Sequence, residues 1–552
     1  MSEQDNIKPA DLIHLPEGVC LYNRIRFYLN GRKRTYDIPP AMTTLDFVHR
    51  ELGMYGTKCS CNEGDCGACM VVVVLVVKGK IRYQAINSCI YPAAKLHGKH
   101  LITVEGIGTP QNLHPIQTAL LDHHGTQCGY CTPGFVMSIF AYLANGGTRD
   151  RESTLAALEG NLCRCTGYDS ILRAVEQLTR DYQSDDIIPQ WCRELEPDLA
   201  IFNAPEQLIL KQSDRLHPVR AYLVPDTLDE LFRQMEEIEN SSQYRIICGG
   251  TDLMVQANVN KIYYPYLLDI SQIEELNGIS EHDGSIEIGA TVTYNQLKHS
   301  ALIQAKVPVL IRIIDQIASE QVRNSATLIG NIGNASPVAD AATTLLALDA
   351  RLKIVSAAQE RYLSLSAGSP SQSDLDADQR AVKETAPTSY YLDYKQTAIR
   401  PGELIHSVII PEQELTDFAT IIKSTKRKAV DISSIVTAAH FRVSDGIIVN
   451  ARLAIGGADR YPRLSAAFNR FCQGKSLFKG TLERRPYDKK DASGEHPSLA
   501  TDWFEEAAGI AEQDFAPISD VRGSEGFRSR MIYNHALLCL QRCRDHFSGG
   551  AQ

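Results

Sequence analysis

The sequence predicts an α+β protein built from several domains in series. Three observations carry that prediction. Strand-length apolar runs flank a cysteine-rich loop early in the chain. Helical spacing then takes over around a second group of cysteines. Strands that run into glycine turns return beyond a polar interval. A length of 552 residues fits several domains.

The first domain is organised by Gly56-Thr57-Lys58-Cys59-Ser60-Cys61-Asn62-Glu63-Gly64-Asp65-Cys66-Gly67-Ala68-Cys69. Cys61, Cys66 and Cys69 have the spacing C-x4-C-x2-C, and Cys89 follows a strand-like run. This is the plant-type [2Fe–2S] spacing. Two irons sharing two sulfides need four thiolates around a compact core. One loop supplies three of them only by wrapping closely, which Gly64 and Gly67 permit. The amides of such a loop can point at cluster sulfurs. The competing reading is a zinc loop, although zinc sites favour two separated knuckles. Cys59 is a further thiol beside Cys61; the x4 spacing selects Cys61 as the first ligand.

Around this loop, Tyr22 to Leu29, Asn30-Gly31 and Arg32 to Ile38 read as a hairpin with a type I′ turn. Thr44 is expected to cap a helix that ends near Leu52-Gly53. Met70 to Val77 is expected as a buried strand, turning at Lys78-Gly79-Lys80 and returning through Ile81 to Ile86 into Cys89. The whole reads as a small ferredoxin-like β-grasp.

The helical stretch comes next. Pro115 to His124 is expected as a helix ended by Gly125. Gln127-Cys128-Gly129-Tyr130-Cys131 precedes Thr132, the expected cap, and Pro133, which suits a first turn. Val136, Ile139, Phe140 and Leu143 share one face, and Asn145-Gly146-Gly147 stops the helix. A third helix runs from Ser153 to Glu159. Asn161-Leu162-Cys163-Arg164-Cys165-Thr166-Gly167-Tyr168 is a loop, and a fourth helix carries Ile171, Val175 and Leu178. Cys128, Cys131, Cys163 and Cys165 thus sit at two helix–helix junctions and make a second [2Fe–2S] site. Zinc, or unliganded buried cysteines, is the alternative.

Composition limits the function classes. Apolar content of 44% and charge of 22% are ordinary for a soluble globular protein, and the net charge of −10 argues against a nucleic-acid partner. The longest apolar run, Val71 to Val77, is too short to span a membrane. Met1 to Gly18 is polar and does not read as a signal peptide. Fifteen cysteines in a chain of this length suggest ligands rather than disulfides, and with them a reducing cytoplasm.

Taken together, the first cysteine loop, Gln-Cys-Gly-Tyr-Cys-Thr-Pro-Gly and Gly-Asn-Leu-Cys-Arg-Cys-Thr-Gly-Tyr resemble the molybdenum hydroxylases, the xanthine dehydrogenase/aldehyde oxidase family. Ser60 departs from the glycine usual there. The resemblance implies that the Cys128 cluster lies nearest a molybdenum centre. It also implies that Gln127 hydrogen-bonds a pterin on a neighbouring domain.

Tyr182 to Ser213 reads as a polar linker. Beyond it, Thr227 is expected to cap a helix carrying Leu228, Leu231 and Met235. The strand Arg245 to Cys248 enters Gly249-Gly250-Thr251-Asp252-Leu253. Two glycines after a strand suit backbone binding of a diphosphate, although taken alone a plain strand–helix turn is the favoured reading. Ala326 to Asp340, rich in small and amide-bearing residues, suits phosphate and ribose. Asp340 either holds a ribose hydroxyl or begins the next helix. These loops resemble the same family's FAD domain, of the vanillyl-alcohol-oxidase type. By that resemblance Ile246, Ile247, Cys248, Gly249, Gly250, Thr251, Asp252 and Leu253 form the first FAD loop. Thr327, Leu328, Ile329, Gly330 and Asn331 form the second, and Asp340 is a third contact. Ile317 and Ser434 stand where animal members have Phe and Lys, so those two contacts do not carry over.

Gln359 to Thr388 and Gly474 to Pro497 read as solvated insertions. Tyr390 to Pro411, then Asp431 to Ile435 and Ala454 to Gly457, resemble the family's α+β flavoprotein C-terminal domain. The expected domains are a plant-type 2Fe-2S ferredoxin domain (20–108), a four-helix 2Fe-2S domain (109–182), a linker (183–214), an FAD domain (215–388) and the C-terminal domain (389–545). No molybdopterin-binding domain is visible. The resemblance therefore implies an electron-transfer subunit. Its partner, a molybdopterin-binding large subunit, would hydroxylate hypoxanthine or xanthine, in a heterotetramer of two small and two large chains. Electrons would leave through FAD to NAD. A related hydroxylase of aldehydes or N-heterocycles is one alternative, and a non-enzymatic zinc scaffold or iron–sulfur sensor another. Cys20, Cys59, Cys192, Cys248, Cys472, Cys539 and Cys543 carry no assigned role.

Overall fold

Asn30 and Gly31 both take positive φ, 46° and 84°, so the first hairpin closes as its Asn-Gly pair requires. In this computed structural model, residues 24–77, 79–148, 150–195, 198–199, 208–211, 218–238, 243–365, 389–414, 417–478 and 502–548 are described. The hairpin strands Arg24–Leu29 and Arg32–Asp37 join His100–Ile102, Met70–Val77 and Lys80–Asn87 in one sheet. Arg24–Leu29 runs parallel to His100–Ile102, and the other pairings are antiparallel.

The run Met70–Val77 is apolar throughout because both of its faces are covered. Met70, Val72 and Val74 pack on Phe135, Val136 and Ile139 of the helix Thr132–Ala144. Val71 and Val73 face the other way, towards Phe47 and Val48 and on to Leu210, Tyr222 and Leu267 of the next sheet. Side chains alternate across a strand, so one short segment holds two domains at once.

The helical part contains Pro115–Asp122, Thr132–Ala144, Arg151–Leu158 and Asp169–Asp181, as the spacing predicts. Their caps differ from the expected ones by one residue. Thr43, not Thr44, caps Thr44–Arg50 and accepts from the Asp46 amide. Cys131, not Thr132, occupies the cap of Thr132–Ala144, and the Thr132 hydroxyl turns to Thr126 instead. His124, at φ 56°, takes the left-handed position assigned to Gly125. Thr43 meets the backbone need expected of its neighbour, whereas Cys131 holds the cap position without a side-chain capping bond.

The first part of the stretch expected as a linker is docked, while 196–197, 200–207 and 212–214 lie outside the described residues. Ser184–Ile187 and Gln190–Glu194 are helices, and Ile187, Ile188 and Cys192 are buried in the helical core. Trp191 meets His100 edge-on and covers Gly31. Their apolar residues are too few and too widely spaced to outweigh the polar composition on inspection, but they have a surface waiting for them.

Two further sheets follow. Leu208–Lys211, Ala221–Val224, Tyr266–Asp269 and Tyr244–Ile247 form the first, whose last three strands are parallel. The second has the order Ile279–His282, Ser285–Gly289, Leu404–Ile410, Arg351–Val355, Glu360–Ser364. Leu404–Ile410 is therefore its central strand, and the expected division at 388/389 falls inside this sheet rather than at its edge. Glu360–Ser364 likewise removes the start of the first expected insertion. Residues 366–388 lie outside the described residues. Of the second insertion, Leu477 is fully buried, and 479–497 lie outside the described residues. The last sheet, Asp417–Ser424, Ile435–Ser444, Ile447–Gly456 and Arg463–Leu464, is antiparallel and packs on Asp502–Gln513 and Glu525–Ser548. Among the described residues no helix is long and apolar enough to cross a membrane.

The tightest approach between the two cysteine-bearing regions is at Gly134. A Cβ there would stand 2.1 Å from the Gly67 carbonyl oxygen, whereas one at Gly509, on an open helix face, would meet nothing within 4 Å. Gly134→Ala should lower stability by about 1–3 kcal/mol through the forced separation. Gly509→Ala should be neutral or raise it by about 0.4–1 kcal/mol. Thermal melting of the two variants beside the parent checks the contrast.

Candidate redox centres

The loop before Cys69 reverses direction three times within six residues. Asn62, Gly64 and Gly67 take φ of 61°, 88° and 71°. At Gly67 a side chain is also barred by space, since its Cβ would stand 2.4 Å from the Gly160 carbonyl oxygen. The wrap brings four thiols together. Cys61 hydrogen-bonds Cys66 and Cys89, and Cys89 also meets Cys69. Cys69 and Cys89 are buried, while Cys61 and Cys66 are half-buried. The Glu63 amide donates to the Cys61 sulfur at 3.5 Å. The neighbouring Cys66 and Cys89 thiols hold Cys61 well below the usual thiol range. Cys89 does the same for Cys69. Cys66 and Cys89 are pushed up, chiefly by the same thiol contacts. Cys59 is exposed, its carbonyl accepts from the Tyr130 hydroxyl, and its thiol is pushed up by burial first.

The second group lies at the two helix junctions. The Cys128 and Cys165 sulfurs are 3.6 Å apart, and Cys131 meets Cys163. Burial first, then Cys163, pushes the Cys131 thiol up to about 12. Burial opposes ionisation of Cys163, but the Thr166 hydroxyl at 3.1 Å and amide at 3.4 Å outweigh it and lower the thiol. Cys128, Cys165 and Gln127 are exposed. Among the described residues no three His, Cys, Asp or Glu side chains close on a single ion. In this second group the thiols meet in two pairs, Cys128 with Cys165 and Cys131 with Cys163.

The two quartets are in direct contact. The Leu162 amide donates to the Cys66 carbonyl at 3.0 Å, and Asn161 Nδ2 to the Gly67 carbonyl at 3.4 Å. Ser138 holds that asparagine by its Oδ1 at 2.8 Å.

On its other side the first quartet touches the glycine loops. Asn258 Nδ2 donates to the Cys89 carbonyl at 2.7 Å and to the Asn62 carbonyl at 3.2 Å. Met254 packs among Cys69, Cys89 and Ile90. Ile246 and Ile247 end a strand, Cys248 and Gly249 follow, and Gly250 turns at φ 76° into Thr251, Asp252 and Leu253. This loop lies against the second, because a Cβ at Gly249 would stand 2.2 Å from the Ser325 carbonyl oxygen. Asn334 Nδ2 reaches Asp252 at 3.2 Å. Thr327 caps the helix Leu328–Gly333, which carries Ile329, Gly330 and Asn331, by accepting from the Gly330 amide at 3.0 Å. Asn331 Oδ1 and the Tyr294 hydroxyl are buried and lack a hydrogen-bond partner. Unpaired buried acceptors beside two close-approach glycine turns suit a bound ribose or flavin.

Asp340 begins the helix Asp340–Ala347. Its carboxylate is engaged within the protein, by Lys423 Nζ at 2.9 Å and by Ser433. Burial pushes it up despite Lys423. Lys423 also donates to the Gln316 carbonyl at 2.7 Å, so it joins the C-terminal sheet to the flavin-side loops. No spacing in the sequence singled it out. Its one signal was a lysine within the apolar run Thr420-Ile421-Ile422. Ser434 is buried and donates to the Arg522 carbonyl, away from this cluster. Ile317 is fixed by Arg323, only 1% exposed, which donates to the Ile317 and Ala318 carbonyls and pairs with Glu159 at 2.9 Å.

Three family models match along the chain: a 2Fe-2S iron-sulfur cluster binding domain over 27–94, a [2Fe-2S] binding domain over 103–176, and the FAD binding domain in molybdopterin dehydrogenase over 215–379. The chain belongs to the molybdenum hydroxylase family. It is 31% identical to the xanthine dehydrogenase of Dictyostelium discoideum over 480 residues, which is 76% of this chain and 34% of that protein. It is 29% identical to that of Drosophila subobscura over 483 residues, 78% of this chain and 34% of that protein. The chain thus spans about a third of the length of these relatives. Among solved structures, quinoline 2-oxidoreductase from Pseudomonas putida 86 aligns with a TM-score of 0.47 and 23% identity, covering 59% of this chain and 96% of that one. CO dehydrogenase from Oligotropha carboxidovorans aligns at 0.48 and 22%, covering 59% and 97%. As a member of the family, this chain carries two 2Fe-2S-binding domains and an FAD-binding domain.

Fully loaded protein should contain about four irons per chain, two in each centre. Cys163→Ser should abolish one of two electron paramagnetic resonance signals and leave the other unchanged, because the first quartet shares no thiol with the second. Loss of both signals from a folded variant would contradict two separate sites.

Proposed function

We propose that this chain is the small, electron-transfer subunit of an NAD-dependent xanthine dehydrogenase. In this reading Cys61, Cys66, Cys69 and Cys89 hold one [2Fe–2S] cluster, and Cys128, Cys131, Cys163 and Cys165 hold the other. Ile246 to Leu253, Thr327 to Asn331 and Asp340 line FAD, with Lys423 fixing Asp340. When bound, these groups carry single electrons from a two-electron donor to a flavin that exchanges one or two.

The observation that carries the reading is the order of contacts. The loop of the second quartet donates from Leu162 to Cys66, and the helical turn that follows the first glycine loop donates from Asn258 to Cys89. The first quartet therefore stands between the other two sites, touching both. A relay needs this order, and a set of unrelated structural metals does not. At the outer end, Tyr130, Leu162 and Tyr168 are 47%, 49% and 38% exposed around the exposed Cys128 and Cys165. That face suits a molybdopterin-binding large subunit, with Gln127 directed at its pterin, in a cytoplasmic heterotetramer. The domains are read as β-grasp, four-helix, vanillyl-alcohol-oxidase-type FAD and α+β flavoprotein units. The helices to Glu194 belong with the second of these, and Leu404–Ile410 with the third.

Without a large subunit, the purified chain should oxidise NADH with an artificial acceptor and leave hypoxanthine and xanthine untouched. After photoreduction, stopped-flow mixing with NAD should reoxidise the flavin much faster than air-saturated buffer. Fast reoxidation by oxygen with no response to NAD would make the chain part of an oxidase.

A further inference from the structure

One lysine ties the domain of the first quartet to the strand ends that lead into the first glycine loop. Lys95 lies in the short helix Ala93–Leu96, six residues beyond Cys89. Its ammonium has three acceptors: the Cys248 carbonyl at 2.7 Å, Ser271 Oγ at 2.9 Å and Asp269 Oδ2 at 3.1 Å. Its three protons are thereby all used. The pair is buried, with the Lys95 and Asp269 side chains 7% and 1% exposed. Asp269 takes two further bonds, from the Tyr222 hydroxyl at 2.5 Å and the Ser271 amide at 2.9 Å.

The acceptors are not scattered. Asp269 ends its strand opposite Ile247, in parallel register. Cys248 follows Ile247 and precedes Gly249-Gly250. Lys95 therefore bridges the carboxyl ends of two adjacent parallel strands at the point where the chain leaves for the glycine turn. Pro92, three residues before Lys95, stands 3.4 Å from where a Cβ on Gly250 would be. Asn258, in the helical turn Gln256–Asn260 that follows the loop, donates to the Cys89 carbonyl, so the chain is tied to the segment that carries Cys89 both before and after the loop.

We propose that Lys95 is a positioning residue that sets the first glycine loop, and through it the flavin, relative to the first cluster. The inference rests on the cofactor assignment above. A buried ion pair adds little net stability compared with an apolar pair, while a lone buried charge is costly. What the Lys95–Asp269 pair supplies is direction: an ammonium held by a fixed carboxylate aims at one backbone carbonyl.

Lys95→Met alone strands the Asp269 charge and tests stability rather than position. The informative variant is Lys95→Met/Asp269→Asn, which removes both charges. It should melt close to the parent and keep both iron–sulfur resonance signals. Amide exchange in a peptide covering Ile247 to Met254 should quicken about tenfold or more, the loss expected for one charged hydrogen bond. FAD should leave the holoprotein faster by a similar factor. Electrons delivered by NADH should reach the clusters more slowly. A double variant with parental exchange, FAD release and transfer rate would overturn the inference. If the parent itself holds no FAD, the cofactor reading fails, and the exchange of that peptide still decides whether Lys95 positions the loop.

Discussion

Much of the arrangement depends on how closely the Gly67 carbonyl is approached. Gly134 comes so near that no side chain fits between them, and the Asn161 amide donates to the same oxygen. Gly67 itself has no room for a Cβ against Gly160. Bare backbone on both sides lets a cysteine loop and a helix junction lie against each other without a layer of side chains. Any residue with a Cβ at 67 or 134 would push the two thiol quartets apart. The hydrogen bond from Leu162 to Cys66 then sets the register of the contact.

The remaining interfaces keep that contact from shearing. The Met70–Val77 strand packs one face on the helical part and the other towards the FAD-side sheet, so two apolar clusters, one on each face of the strand, join the three units. Polar pins are set into it where direction matters more than area. Arg323 and Gln321 reach Glu159 and the Ala157 carbonyl of the helical part. Lys423 reaches Asp340 from the C-terminal sheet. Each is a buried charge or amide with a partner across the interface, which fixes geometry while apolar burial supplies most of the cohesion.

What was legible in the sequence was local. The C-x4-C-x2-C spacing, the Asn-Gly turn, the apolar run at Met70 and the four helices each follow from residues close together in the chain. Their positions differ from expectation only at caps such as Thr43 and Cys131, where adjacent residues compete for the same role. Long-range matters were not legible. Leu404–Ile410 reads as the opening of a new domain until it is seen completing the sheet of Ser285–Gly289 and Arg351–Val355. Ser184 to Glu194 reads as linker because its few apolar residues are buried by partners supplied elsewhere. Lys95 and Lys423 look like ordinary surface lysines because their acceptors lie more than eighty residues away. The glycine loops were ambiguous alone, and became a site when Gly249 was found against Ser325 with an unpaired Asn331 oxygen nearby.

The central claim is that the two iron–sulfur sites are held side by side across the Gly67 contact. Magnetic coupling between the two centres reports this directly. In the fully reduced protein, low-temperature electron paramagnetic resonance should show the two cluster signals split or broadened by each other, with the splitting lost on partial reduction. Two sharp, simply additive signals at every level of reduction would contradict it.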